Sequence, residues 1–201
     1  MAWADPSLAR QRPGKEAIMR AAVSVMGEDG YEGASMREMA ARAGVSVAAI
    51  YYHFPSKHDM LREFLDEAWR LSLARLDRRL DAAPADPVAR LDVIVETLVT
   101  SQNRDEFAQL ASIVALREHT RLNPPERAAI EEQQQRLVDL VEREIAAGAE
   151  TGEFTTSDAA EATRAILAVV TSFAAMRPPT HRPLPEVIEV AQRFARSIAC
   201  A

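Results

Sequence analysis

Apolar residues recur along this chain at intervals of three and four, the spacing of one helix face, and the C-terminal half shows no strand alternation. The pattern predicts an all-α protein. Ile18, Ala21, Ala22, Val25 and Met26 form the buried stripe of a first helix that opens at Pro13-Gly14 and runs to about Glu28, with Gly30 ending it. Met36, Met39, Ala40 and Ala43 make a second, narrower stripe. Ser35 reads as its N-cap, and Glu38 three residues on completes a capping box. Gly44 stands at its end, where a left-handed backbone favours glycine. Val45 plugs the corner, and Ser46 caps a third helix from Val47 to about His53. A second capping box, Ser56 and Asp59, precedes a helix of roughly 25 residues that carries Leu61, Leu65, Ala68, Ser72 and Leu76 towards Leu80. The segment from Ala82 to Pro87 breaks it. Helices are then predicted over Val88–Gln102, Asp105–Arg121, Pro125–Ala147, Ser157–Met176 and Leu184–Ala199. Between them stand Asn123-Pro124-Pro125, Gly148 to Gly152, and the prolines from Pro178 to Pro185.

The stretch from Ser35 to Lys57 is a helix, a turn of about three residues containing glycine, and a second helix, which is the helix-turn-helix plan. Ile50 and Phe54, four apart, face the core with Val45. Val47, Ala48 and Ala49 are small enough to let the helix approach base edges or thymine methyls. Tyr51 and Tyr52 bring hydroxyls suited to phosphate oxygens, and Lys57 adds a cation just past the helix. The competing reading makes these aromatics core residues of a small helical domain; it suits Phe54 best, and Tyr52 stands between the two. Arg10 and Arg12 end an aperiodic arm that either meets phosphates and the minor groove or is a solvated tail.

The segment GYEGASMREMAARAGVSVAAIYYHFPSKHDML resembles the DNA-binding region of the tetracycline-repressor (TetR) family of bacterial regulators. It shares the G-Y/F-x-x-x-S/T entry, the A-x-x-A-G-V-S turn and the Y-Y-H-F-x-S-K-x-x-L exit, over about 50 residues from near Gly14 to Leu61. The resemblance implies that Arg37, Val47, Ala48, Ala49, Tyr51, Tyr52, His53 and Lys57 lie at or near DNA, with the helix cap Ser46 among them. Relatives often carry Gly or Thr at positions 47 to 49. Here all three are apolar, so base readout there would rest on van der Waals contact. The lack of periodicity over 1–12 predicts a flexible arm; the resemblance further implies a DNA-binding domain over 13–58 and a helical ligand-binding and dimerisation domain over 59–201. Such a protein is a ligand-released homodimeric repressor of a palindromic operator in double-stranded DNA. Its long helix would transmit the ligand signal to the reading heads.

Composition changes this picture little. The chain has 201 residues, enough for a sizeable core. Cys200 is its one cysteine, which excludes an intramolecular disulfide and fits a reducing compartment. No signal-like start and no apolar run near the ~18 residues of a membrane span are present, so a cytoplasmic protein without membrane contact is expected. The net charge of −6 is unevenly divided. Residues 1–58 hold seven Lys/Arg against six Asp/Glu, about +1, leaving about −7 for the remainder. DNA affinity would then come from a few placed cations and backbone amides.

The C-terminal half suggests a dimer and a ligand site. Ala159 to Ala175 is apolar nearly all round, and the last helix is amphipathic through Val187, Ile188, Val190, Ala191, Phe194, Ala195 and Ile198. Helices 157–176 and 184–199 would form a symmetric four-helix contact; alternatively both are buried within one subunit. Phe107, Leu110, Ile113, Val114 and Leu116 can wall an apolar cavity, with Gln109, Ser112, Arg117 and His119 as polar contacts. Trp69 and Thr171 are further candidates. The competing reading is plain core, with Arg117, Glu118 and His119 as a solvated ion-pair face. An apolar lining points to a lipophilic effector such as an acyl-CoA, a fatty acid, a steroid-like molecule or a drug.

Nothing in the chain suggests catalysis. His53, His58, His119 and His181 show no metal-ligand spacing, and no phosphate-cradling glycine loop or G-x-S-x-G elbow occurs. The carboxylates Glu131, Glu132, Glu142 and Glu144 read as exposed helix faces. No enzyme, cofactor or metal is therefore expected. The remaining rival is a helical interaction or ligand-binding protein of the same fold without specific DNA binding.

Overall fold

The structure, a computed structural model, describes residues 13–175 and 183–201. Arg10, Arg12, Met176, Pro178, Pro179 and His181 lie outside them. Among the described residues there are nine α-helices, one 3-10 turn and no strand. The helices are α1 (Pro13–Gly33), α2 (Met36–Ala43), α3 (Val47–His53), α4 (Lys57–Asp81), α5 (Pro87–Asn103), α6 (Glu106–Arg117), α7 (Pro124–Thr151), α8 (Ala159–Ala175) and α9 (Leu184–Ala199). The 3-10 turn, His119–Arg121, shortens the helix expected over 105–121. Gly30, at φ 75° and ψ 167°, breaks α1 where the sequence places its end, and one further turn follows to Gly33.

The chain divides into two compact units. The first comprises the described part of Met1–Ser72 with Glu106–Glu131; the second comprises Leu73–Asp105 with Glu132–Ala201. Helices α4 and α7 each contribute to both.

In the first unit α1 packs on α2, α3 and α6. Ile18, Ala22, Val25, Met26, Met39, Ile50, Phe54, Leu61, Phe64 and Leu65 share one core with Phe107, Ala111 and Val114. α1 and α6 approach closely at Gly27, where an added Cβ would stand 2.8 Å from the Cβ of Leu110. Asn123 and Glu126 cap the start of α7 reciprocally: Glu126 N–H donates to Asn123 Oδ1 at 3.1 Å and Asn123 N–H to Glu126 Oε2 at 3.3 Å.

In the second unit α5, α8 and α9 pack against one another. α9 buries Ala191, Ala195 and Ala199, one face at intervals of four. Asp92 of α5 holds that helix by accepting from Gln192 Nε2 through its carbonyl at 3.1 Å and pairing through Oδ2 with Arg196 at 3.1 Å. Glu144 corrects the expectation of an exposed face. It is only 6% exposed and takes both ends of the Arg90 guanidinium at 2.6 and 2.8 Å, while Arg90 also donates to the carbonyl of Leu80. A carboxylate at this depth persists because its charge is paired in a two-pronged geometry.

Candidate nucleic-acid interface

The helix-turn-helix is built by local chemistry. The Ser35 hydroxyl accepts from Glu38 N–H at 3.1 Å and starts α2, and Glu38 turns its carboxylate to Arg42, 3.8 Å away. Gly44 ends α2 at φ 68°, a left-handed conformation that a Cβ-bearing residue adopts at a cost of about 1 kcal/mol. Its N–H and that of Val45 return to the carbonyls of Ala41 and Ala40. Ser46 then accepts from Ala49 N–H at 3.1 Å and starts α3. Val45 packs partly buried against the core.

The short helix α3 is divided sharply by face. Ile50 is fully buried and Phe54, which follows the helix, is 1% exposed. On the other side Tyr52 is 86% exposed, Tyr51 52% and Val47 37%, with Ser46 and Ala48 also open to solvent and Ala49 half-buried. Three large apolar or aromatic residues on one turn of surface have no packing partner that explains them. His53 is half-buried, its ring edge-on to Tyr52 at 5.1 Å between centroids. Arg37 on α2 is exposed, and no carboxylate among the described residues lies within 4.0 Å of it.

Lys57 is placed differently from the other cations considered. Its ammonium donates to the carbonyls of Tyr31 and Ala34, the latter at 3.0 Å, and sits 4.3 Å from the centroid of the Tyr31 ring. The first residue of α4 thereby ties down the end of α1 and the entry to α2. Tyr31 N–H reaches Glu118 at 3.4 Å, Glu118 pairs with Arg121 at 3.7 Å, and Arg121 returns to Glu32 at 2.6 Å. The acid between Arg117 and His119 is thus partnered by Arg121, which the sequence did not single out. A second tie runs from His58 of α4 to Glu126 of α7 at 2.7 Å, with Arg62 at 3.6 Å. Burial raises the Glu126 carboxyl, but the contacts from His58, Asn123 and Arg62 outweigh it and hold the group below the usual carboxylate value.

The residues suggested for a ligand site are spread through the chain. Phe107 and Val114 belong to the core of the first unit, at 8% and 0% exposure, and the Arg20 guanidinium lies 4.2 Å from the Phe107 ring centroid. Leu110 is half-buried and turns towards Gly27; Arg117 is exposed. Trp69 packs against the same core, and its indole N–H is buried without an acceptor, as is Nδ1 of His119 without a partner. Thr171 lies in the second unit, where its hydroxyl donates to the carbonyl of Leu167 at 2.8 Å. No group of three His, Cys, Asp or Glu among the described residues can hold a metal, and none of their helices is long and apolar enough to cross a membrane.

A capped helix-turn-helix with an open aromatic face, set in an all-helical chain, is the architecture of a DNA-binding transcriptional regulator. Comparison with known proteins agrees. Residues 18–64 match the family described as bacterial regulatory proteins, tetR family, and residues 84–175 match the tetracyclin repressor-like C-terminal domain. The chain is 24% identical over 142 residues to the HTH-type transcriptional regulator UidR of Escherichia coli (strain K12), covering 71% of this chain and 69% of UidR. A tetR-family regulatory protein from Rhodococcus RHA1 superimposes with a TM-score of 0.81 at 25% identity, covering 94% of this chain and 98% of that one. AibR, solved in complex with isovaleryl coenzyme A and operator DNA, shares the fold at a TM-score of 0.80 and 24% identity, over 92% and 97% of the two chains. The chain belongs to the tetR family of bacterial transcriptional regulators.

Proposed function

We propose that this protein is a homodimeric repressor that reads a palindromic operator through α3 and is released from it by a lipophilic effector. The observation that carries the reading is the division of α3: Ile50 and Phe54 locked in the core, and Tyr51, Tyr52 and Val47 turned outward. In this reading Val47, Ala48 and Ala49 meet base edges and thymine methyls. Tyr51, Tyr52 and Arg37 take phosphates, and the N-terminus of α3 with Ser46 sits against the backbone. His53 and Lys57 act from behind this surface; Lys57 keeps α1, α2 and α4 in register, and its charge contributes at longer range.

Dimerisation through α8 and α9 is supported by the open Phe194, at 51% exposure, and by Ala168, an exposed apolar residue of α8. AibR's isovaleryl coenzyme A supports an acyl-CoA as effector. Trp69, Phe107, Leu110, Val114 and Arg117, all in the first unit, are the residues proposed to meet it, with the unpartnered indole N–H of Trp69 available to an acyl carbonyl. By linkage, the effector weakens DNA binding by the same factor that DNA weakens effector binding.

The test is fluorescence anisotropy of DNA from upstream of the protein's own gene and of a selected duplex, at two salt concentrations, with acyl-CoAs of increasing chain length added to the complex. A Tyr51→Phe/Tyr52→Ala variant should lose at least tenfold in affinity while keeping its melting temperature, because both rings are exposed. Binding that ignores salt and the variant alike would instead favour a protein of this fold without specific DNA recognition.

A further inference from the structure

The open face of α3 carries few polar side-chain atoms. Residues four apart stand side by side on a helix, so Val47 neighbours Tyr51 and Ala48 neighbours Tyr52. These four make one patch, and all are exposed. Ile50 is fully buried and Ala49 half-buried. His53 is half-buried beside α1, where a Cβ placed on Gly14 would stand 3.7 Å from its Nε2. The Ser46 oxygen is engaged at the helix cap, accepting from Ala49 N–H at 3.1 Å.

Base pairs are commonly told apart by side chains that reach hydrogen-bonding atoms of the base edge: Arg or Lys on guanine, Asn or Gln on adenine, Asp or Glu on cytosine. α3, with the sequence VAAIYYH, carries none of these types. Its first turn offers instead the branched methyls of Val47, 37% exposed, and the single methyl of Ala48. An apolar surface gains nothing from a hydrogen-bonding edge, and pressing against one strips its water without replacing it. One feature of the major groove does reward such a surface, the methyl group on C5 of thymine.

We propose that Val47, with Ala48 beside it, recognises the 5-methyl group of a pyrimidine in the operator. The base under the first turn of α3 is then a 5-methylpyrimidine, thymine or 5-methylcytosine, and its hydrogen-bonding edge goes unread. This rests on the reading of α3 as the DNA-contacting helix and adds to it the chemical feature that α3 discriminates. Thymine presents an acceptor, O4, next to its methyl, whereas cytosine presents a donor, the N4 amino group, at the same place. Methyl and edge can therefore be exchanged independently.

The experiment uses the full chain to select a duplex from a random pool, then measures its binding by fluorescence anisotropy at two salt concentrations. Each T·A pair of the selected duplex is replaced in turn by U·A, C·G and 5-methyl-C·G. Uracil removes the methyl and keeps the edge; 5-methylcytosine keeps the methyl and changes the edge. Burying one methyl is worth about fourfold in affinity. At one or more positions of each half-site, thymine and 5-methylcytosine should bind alike, with uracil and cytosine about fourfold weaker. In Val47→Ala the methyl effect at that position should fall below about twofold, while the protein melts no earlier than wild type because Val47 is exposed. If thymine and uracil bind alike at every position, above cytosine and 5-methylcytosine, the edge or the duplex shape is read. That result overturns the proposal and leaves α3 standing as the reader. A methyl effect that Val47→Ala leaves intact puts the methyl against another residue and overturns the proposal too. Failure to select any duplex bound in a salt-sensitive way removes the reading of α3 and the proposal together.

Discussion

Lys57 shows how one side chain can have two plausible roles that only its partners separate. In sequence it is a cation after a reading helix; in the structure its ammonium satisfies the carbonyls of Tyr31 and Ala34. Hydrogen bonds to a charged donor contribute about 1.5–3 kcal/mol, so Lys57→Met should lower stability in urea by about 2 kcal/mol. A purely phosphate-directed lysine would leave the unfolding midpoint unmoved and alter only the salt dependence of DNA binding. Glu126 gives a pH-dependent counterpart. Its folded pKa lies below the ordinary 4.5, so the stability it supplies is present above that value and is lost as pH falls through the folded pKa. Glu126→Gln should therefore cost about 1 kcal/mol near neutral pH, and the gap to wild type should narrow as pH falls below the ordinary carboxylate value. A gap that stayed constant down to pH 3 would mean that the amide disturbs only the α7 cap and that the carboxylate charge is idle.

At the scale of elements, the spacing of α1 and α6 is set by Gly27. An added Cβ would stand 2.8 Å from Leu110 Cβ and 3.2 Å from its Cα, atoms that cannot rotate away. Gly27→Ala should thus destabilise by about 1–3 kcal/mol as overpacking, whereas an ordinary helical Gly→Ala stabilises; chemical denaturation gives the sign directly. The contrast shows what was legible beforehand. Ser35, Ser46, Ser56 and Gly44 act on residues within a few positions, so their types announce the helix ends, and the order and bounds of nearly every helix follow from periodicity and breakers. The division of α3 is local too, since Ile50 and Phe54 share a face by spacing alone. Contacts between distant residues leave no such trace. Glu144 is buried only because Arg90, 54 positions away, meets it; Arg121 matters because it reaches Glu32 across 89 positions. Helix periodicity finds the apolar stripe at Phe107 and Val114, but it cannot say whether the stripe faces a ligand or another helix.

For the molecule as a whole, the proposed reading makes DNA reading and assembly one question. The first 58 residues carry about +1 of charge, so in that reading two heads engaging half-sites about one DNA turn, roughly 34 Å, apart supply the affinity. That requirement makes the α8–α9 surface testable at one residue. Phe194 is 51% exposed on the flank of the helix face that buries Ala191, Ala195 and Ala199. In a two-fold contact every substitution acts twice. Removing the ring from each subunit forfeits about 2 kcal/mol of apolar burial per side, and Phe194→Arg adds like charges across the axis. The dimer should weaken by at least a thousandfold, about 4 kcal/mol. Sedimentation at micromolar concentration should then show a monomer with wild-type helicity. Operator binding should fall in the same variant even though α3 is untouched. A Phe194→Arg protein that stays dimeric would move the interface to another face, and a monomer that still binds the full operator tightly would separate recognition from assembly.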